Sequence, residues 1–307
     1  MMRLHRQRGV AVITALLLTT LAITIVTSLF WQQQVQVRSI ENQRLQLQKQ
    51  WILRGALDWA GLILREDAKH SSIDSLDEPW AVPLAKTPLD QYVDEGHTDA
   101  DAAEANLSGS ISDAQARYNL TNLCPNGIID PAEVAAFSQL LHNVKLNPNL
   151  AQATADAMAA ALQIPNAATA NSSTQSGPQP MNFTQLDDLL AVPGFSPEML
   201  ARLRDFVIFL PTVTPVNVNT ASPEVLSARI NPLSLAQATA LVASRSSASF
   251  RNTNDNRLPS GNFRISVTSN YFLVNGNVQM SRASLEVQAL LERNGGNPPK
   301  LIWIREY

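Results

Sequence analysis

The run Val10–Phe30 (VAVITALLLTTLAITIVTSLF) contains no charged residue, and it constrains what the rest of the chain can do. A helix rises ~1.5 Å per residue, so about 20 apolar residues cross a hydrocarbon core about 30 Å thick. Arg3, His5, Arg6 and Arg8 precede the run, and the first cation after it is Arg38. By the positive-inside rule the N-terminus is expected in the cytoplasm and the body outside it. That body has the makings of a core: the chain has 307 residues, of which 45% are hydrophobic. Charged residues make up 16% and the net charge is -3, which gives no basic surplus for a polyanionic partner. Cys124 is the only cysteine, which excludes an intrachain disulfide and a thiolate metal cluster.

An apolar run near an N-terminus is open to two ordinary readings, a cleaved secretory signal or an uncleaved signal anchor. A secretory signal has an apolar region of about 7 to 15 residues and a small-x-small cleavage site. This run is longer and passes into polar sequence without such a site. From Trp31 to Ala68 there is no proline, and Val35, Ile40, Leu45, Leu47, Ile52, Leu57, Leu62 and Leu64 recur at loosely helical spacing. The helix is therefore expected to continue from Val10 to Ala68, on the order of 85 to 90 Å. Gly55 and Gly61 weaken it locally. Gly9, at the junction of the basic stretch and the apolar run, resembles the type IV prepilin signal. That resemblance implies cleavage between Gly9 and Val10 by a prepilin peptidase on the cytoplasmic side, with the apolar helix retained.

The body reads in three parts. SSIDSLDEPWAVPLAKTPLD is rich in proline and aspartate and is expected as loop, followed by short strands near Asn106–Ser112 and Ala116–Thr121. From Leu123 to Phe250 the sequence becomes alanine-rich and helical, in PAEVAAFSQLLHNV, NLAQATADAMAAAL, FTQLDDLLAV, SPEMLARLRDFVIFL, SPEVLSARI and SLAQATALVASR. Asp130 is the expected cap of the first, with Pro131 at its first position, and the polar stretch Asn166–Pro180 is expected as a loop. FRISVTS, NYFLVNGN, VQMSRASLEVQALLE and LIWIREY return to strand patterns, with a turn expected at Asn275-Gly276 and with Trp303 and Ile304 filling core.

EPWAVPL (Glu78–Leu84), SISDAQARYNLTNL (Ser110–Leu123), LDDLLAVPGFSPEMLARLRDFVIFLP (Leu186–Pro211) and VNVNTASPEVL (Val216–Leu226) occur in an order that resembles the type II secretion system protein K family. With the leader and terminal strands, the resemblance spans most of the chain. It implies an α+β pseudopilin fold: a long N-terminal transmembrane and amphipathic helix on a small antiparallel sheet, plus a large all-helical insertion. The expected divisions are a leader at 1–9, a membrane part at 10–30 and an amphipathic part at 31–68. The α/β domain begins at 69–122, the helical insertion occupies 123–255, and strands at 256–307 complete the sheet. The implied role is that of a minor pseudopilin forming or capping the pseudopilus tip and supporting export of folded proteins. The chain would be single-pass in the bacterial inner membrane with a periplasmic body. Implied partners are the other minor pseudopilins, the major pseudopilin and the inner-membrane secretion platform. A minor pilin of a type IV pilus and a DNA-binding competence pseudopilin are the alternatives.

Thr14 is the fifth residue of the expected mature chain. Most pilins and pseudopilins carry glutamate there, whose carboxylate would pair with the N-terminal ammonium of a neighbour. Threonine cannot make that pair, which by the resemblance suits a subunit with none ahead of it. Calcium is a family possibility, because hard cations require clustered oxygens. Here Ala160 and Gln163 stand where the family tends to have aspartates, Asn166–Pro180 holds no acid, and Asp187 and Asp188 suit a helix start. No calcium is expected. TASPEVLSARINPLSLAQATALVASR is similar to helix-hairpin-helix modules, but Asn231-Pro232-Leu233 replaces the glycine turn. Arg229 and Arg245 are too few for a phosphate stripe, so packing is the expected role and no nucleic acid is expected as a partner. VPGF (Val192–Phe195) supplies a glycine hairpin, but among acids. His5, His70, His97 and His142 are scattered, Cys124 has no basic neighbour, and no catalytic set is recognised.

Overall fold

The computed structural model describes residues 8–88, 106–162, 182–280 and 283–307. The expected leader, apart from its last two residues, and the expected Asn166–Pro180 loop lie outside these. The chain divides after Gly55 into two compact units. Helix α1 runs Arg8–His70 without interruption, through both Gly55 and Gly61. In the second unit its last turns bury Leu57, Ala60 and Leu64, which share one face by their spacing of three and four residues.

A five-stranded antiparallel sheet forms the second unit's frame, in the order β1-β2-β7-β8-β9. The strands are β1 Leu84–Pro88, β2 Asn106–Asp113, β7 Tyr271–Met280, β8 Ala283–Glu292 and β9 Lys300–Glu306. β1 falls in a stretch expected as loop: none of its side chains is buried, so apolar periodicity does not mark it. Asn275 and Gly276 are not a turn. They pair mid-strand with Ser110 and Gly109 on one side and Gln288 and Val287 on the other. Pairing of β7 with β8 runs unbroken from Tyr271 to Met280, so the Asn-Gly pair lies inside a continuous strand.

Residues 114–270 are inserted between the adjacent strands β2 and β7. Helices α2 Pro131–Asn143, α3 Leu150–Leu162, α4 Pro197–Leu203, α5 Pro223–Arg229 and α6 Leu235–Arg245 dominate this insert. Polar side chains start four of the five: Asp130, Ser196, Ser222 and Ser234 each accept from backbone N–H groups of the first turn. Each such cap is worth about 1 kcal/mol. Two expected helices are shorter than their sequence suggests. LDDLLA forms a 3-10 helix, Leu186–Ala191, with Asp188 in its capping box. After α4 the chain extends, and β4 (Val207–Ile208) pairs in parallel with β3 (Tyr118–Asn119). The run VIFL is apolar on every side, which a fully buried extended segment tolerates as well as a buried helix. A second parallel pair joins β5 Val216–Asn217 to β6 Ile265–Ser266, so the expected strands near Ala116 and Phe263 belong to the insert and not to the main sheet.

The insert has its own core, with Tyr118, Phe137, Leu140, Leu141, Leu189 and Phe250 fully buried. A second cluster joins it to the sheet through Ile208, Leu210, Leu273 and Leu290, with Trp303 packed against it. Ile304 does not fill core as expected: it is 40% exposed, opposite Ala289 on β9, the edge strand of the sheet.

Candidate functional site

Two features stand out as candidates for function, an apolar helical surface and a buried polar hub. From Val10 to Phe30 every described side chain is exposed, including Leu17, Leu21, Ile25 and Phe30. Water does not tolerate a continuous apolar cylinder of this length, whereas hydrocarbon or the packed interior of a filament does. The polar side chains in the run are turned inward on the helix itself. Thr14 donates to the carbonyls of Val10 and Ala11 at 3.1 and 3.0 Å, and Thr19, Thr20, Thr24 and Thr27 bond back in the same way. These bonds satisfy the hydroxyls without any outside partner, as a lipid-facing helix requires. Thr14 thus presents no charge and no free donor. Val10 sits at the start of this apolar face, and of Gly9 only its helical backbone is described.

The hub lies where α1 ends. Arg293, at the end of β8, donates to Asp67 at 2.8 Å, to both oxygens of Asp74 at 2.6 Å, and to the Ser269 carbonyl at 2.8 Å. Its guanidinium lies 4.7 Å from the Phe272 ring centroid, and Trp80 packs edge-on against that ring. Glu78 accepts from the Trp80 indole and from the Ser75 backbone, so EPW locks its own turn. Around Asp74 the network continues. Asn217 donates to the Asp74 carbonyl, to Asp113 and to Ser269, while Asp113 also accepts from Thr220, Ser269 and the Gln115 backbone. The hub therefore ties the end of α1, strands β2, β7 and β8, and the insert at β5.

The electrostatics follow from burial. Asp67, Asp74 and Glu78 offer oxygens within 4.8 Å of one another, against one guanidinium. Burial first, then the Glu78 and Asp74 charges, push the Asp67 carboxyl up to about 6, with Arg293 pulling the other way. Burial likewise raises Asp74 and Asp113, despite the donors each accepts from. A buried arginine with several carboxylates contributes little net stability but costs several kcal/mol to break, since removing one partner strands the others.

Amides do similar work elsewhere in the quoted blocks. Asn122 exchanges two hydrogen bonds with the Thr214 backbone, and Asn219 two with the Phe250 backbone. Asn119 accepts from the Leu210 and Thr121 N–H groups and donates to the Thr212 carbonyl. Each amide mimics a strand partner for backbone that no strand reaches. Sequence reasoning missed Asp67, Asp74 and Arg293 as a unit; the available signal was a run of acids at a helix end, and nothing in LLERN identified its partner.

The remaining candidates resolve into packing. Arg229 makes a bidentate pair with buried Glu133 at 2.6 and 2.8 Å, and Arg264 approaches the same carboxylate. Arg245 donates to the carbonyls of Val218 and Ala221 from a buried position. Both arginines of the helix-hairpin-helix-like stretch are thus consumed inside the chain. Gly194, at φ 105°, turns the VPGF segment over Leu150, where a Cβ would meet the leucine at 2.8 Å. Asp188 accepts from the Thr184 and Gln185 backbone, and Asp156 from Gln152. His70 and His142 are exposed, while His5, His97 and Gln163 lie outside the described residues. Cys124 is buried, and burial raises its thiol pKa, which suppresses the thiolate.

Two family models described as type II secretion system (T2SS), protein K, match residues 116–212 and 216–262. The chain is 28% identical to type II secretion system protein K of Pseudomonas aeruginosa over 94% of this chain and 89% of that protein. It is 26% identical to the protein of the same name from Aeromonas hydrophila, over 72% and 69%. The fold matches a chain in the crystal structure of the GspK-GspI-GspJ complex from the enterotoxigenic Escherichia coli type 2 secretion system. That match has a TM-score of 0.63 and 18% identity, and covers 88% of this chain and 99% of that one. Asn119 and Asn122 fall within the first matched segment and Asn217 to Thr220 within the second, and over most of its length the chain is similar to type II secretion system protein K.

Proposed function

We propose that this chain is the minor pseudopilin that starts or caps the pseudopilus, and that it acts by assembly and not by catalysis. The observation that carries the reading is the fully exposed apolar face of residues 10–30, charge-free and with its threonine hydroxyls already bonded. A prepilin peptidase cuts between Gly9 and Val10, leaving the apolar helix on the mature chain. The N-terminus faces the cytoplasm and the body the periplasm, in keeping with Arg3, Arg6 and Arg8 ahead of the span. Thr14 lacks the carboxylate that would pair with the N-terminus of a subunit ahead, which suits the end of a filament. The insert of residues 114–270 makes the subunit too bulky for repeated packing along a shaft. Two other minor pseudopilins, equivalent to the GspI and GspJ of the similar complex, are its neighbours. The body needs no calcium on this reading, in keeping with Ala160 and Gln163 at positions where the family tends to have aspartates and with the absence of acids from Asn166–Pro180.

The test is co-purification and crosslinking of the full chain with the other minor pseudopilins from membranes, alongside a deletion strain. The expected result is a stable complex containing this chain, with altered pseudopilus length or lost secretion in the deletion. Restoring glutamate, Thr14→Glu, is expected to leave assembly intact. Unchanged secretion and filament length in the deletion would overturn the proposal.

A further inference from the structure

The antiparallel register divides the sheet's two faces sharply. One face carries Phe272, Val274, Val278, Leu285, Val287 and Leu291, all buried. On the other, pairing aligns Ser110, Asn275, Gln288 and Arg305 in one row across β2, β7, β8 and β9. The next row runs Ser108, Asn277 and Glu286, and reaches Tyr307 through its N–H bond to the Glu286 carbonyl. These two polar rows floor a cleft of about 620 Å3 walled by the insert at Thr184–Asp187, Arg204–Asp205 and Arg117. The volume falls in the range of about 300–1,000 Å3 usual for small-ligand sites.

Three properties limit what the cleft can hold. Its charges balance, with Arg117, Arg204 and Arg305 against Asp187, Asp205 and Glu286, so a strongly charged ligand has no advantage. Its floor backbone is already paired within the sheet, so a ligand there is read by side chains, unlike a peptide strand added at an edge. Those side chains are planar amides, hydroxyls, a carboxylate and guanidinium groups, donors and acceptors at close spacing, with Trp303 and Tyr307 at one end. Gln288 orients Asn275 by a 2.9 Å bond, Asn277 donates to Glu286 at 3.3 Å, and Arg305 lies 4.3 Å over the Trp303 ring. Arg117 and Arg204 donate no side-chain hydrogen bond to any described residue. Burial lowers the basicity of Arg117, with the Asp205 and Asp113 charges pulling the other way.

We propose that this cleft binds a segment of uncharged pyranose oligosaccharide. Vicinal hydroxyls both donate and accept, which suits rows of amides and hydroxyls, and the apolar face of a sugar ring suits the exposed Tyr307 ring. Arg117 and Arg204 supply donors to ring and hydroxyl oxygens.

The test uses the full chain in lipid nanodiscs, which avoids glycoside detergents, and isothermal titration with two probes. These are a β-1,4-linked N-acetylglucosamine tetramer and a β-1,4-linked glucose tetramer. Binding by at least one is expected at submillimolar to millimolar concentration, and at least about tenfold weaker binding in Asn275→Ala/Gln288→Ala. Preference for the N-acetylated probe would assign the ligand to acetamido-sugar glycans, and equal binding to polyhydroxyl sugars in general. Tyr307→Ala, at an exposed position, gives a second weakened variant if the double substitution lowers the melting midpoint. The proposal is overturned by no heat from either probe, by undiminished binding in the variants, or by an extended peptide displacing the sugar.

Discussion

Between Val10 and Phe30 the threonine hydroxyls turn back on their own helix, three or four residues away, whereas around Arg293 the polar groups find partners across most of the chain. Both regions deny their polar groups bulk water, one in an apolar helical face and the other inside the protein. The apolar helix needs nothing from elsewhere, so its integrity is a local matter and its surface stays available for assembly. The hub depends on parts far apart in sequence, so it forms only when sheet, helix end and insert are in place together. The first region is suited to contacts outside the chain, and the second fixes the body as one unit.

The largest expected effect comes from breaking the hub. Arg293→Ala strands Asp67 and Asp74 in a buried site and should cost about 3–5 kcal/mol of body stability, read by denaturant unfolding. A loss under about 1 kcal/mol would mean that the hub is hydrated and not a structural joint.

A smaller effect sharpens the same point through pH. Because Asp67 is raised from 3.8 to about 6, the folded state holds this proton longer than the unfolded chain does. Its contribution to stability is therefore fully present below pH 3.8 and is lost as pH rises through about 6. Asp74 and Asp113, raised by burial as well, act in the same direction. Asp67→Asn should flatten the unfolding free energy over that window, and an unchanged pH profile would show that Asp67 does not titrate there. The smallest effect belongs to the apolar helix: Thr24→Val, which removes only a local back-bond, should leave body stability and membrane fractionation unchanged.

The same contrast explains what the sequence made legible. The long helix and the cap at Asp130 rest on signals within a few residues. Asn275-Gly276 was misleading because turn chemistry is a local signal, whereas its pairing with β2 and β8 is set by the sheet. β1 lacked an apolar face to announce it, and VIFL had no periodicity to separate strand from helix. Arg293 lay beyond local reasoning altogether, since its main partner Asp74 is 219 residues away. The quoted blocks held the polar groups of the network, but only tertiary structure shows Asn217, Asp113 and Thr220 meeting.

The proposed function depends most on Val10–Phe30 being a retained assembly helix. Its most direct test is the intact mass of the chain isolated from membranes of cells that express prepilin peptidase. The prediction is a mature chain that begins at Val10 and keeps the whole apolar run, and that is left uncut when the peptidase is absent. A chain beginning downstream of Phe30, or one uncut in both strains, would contradict it.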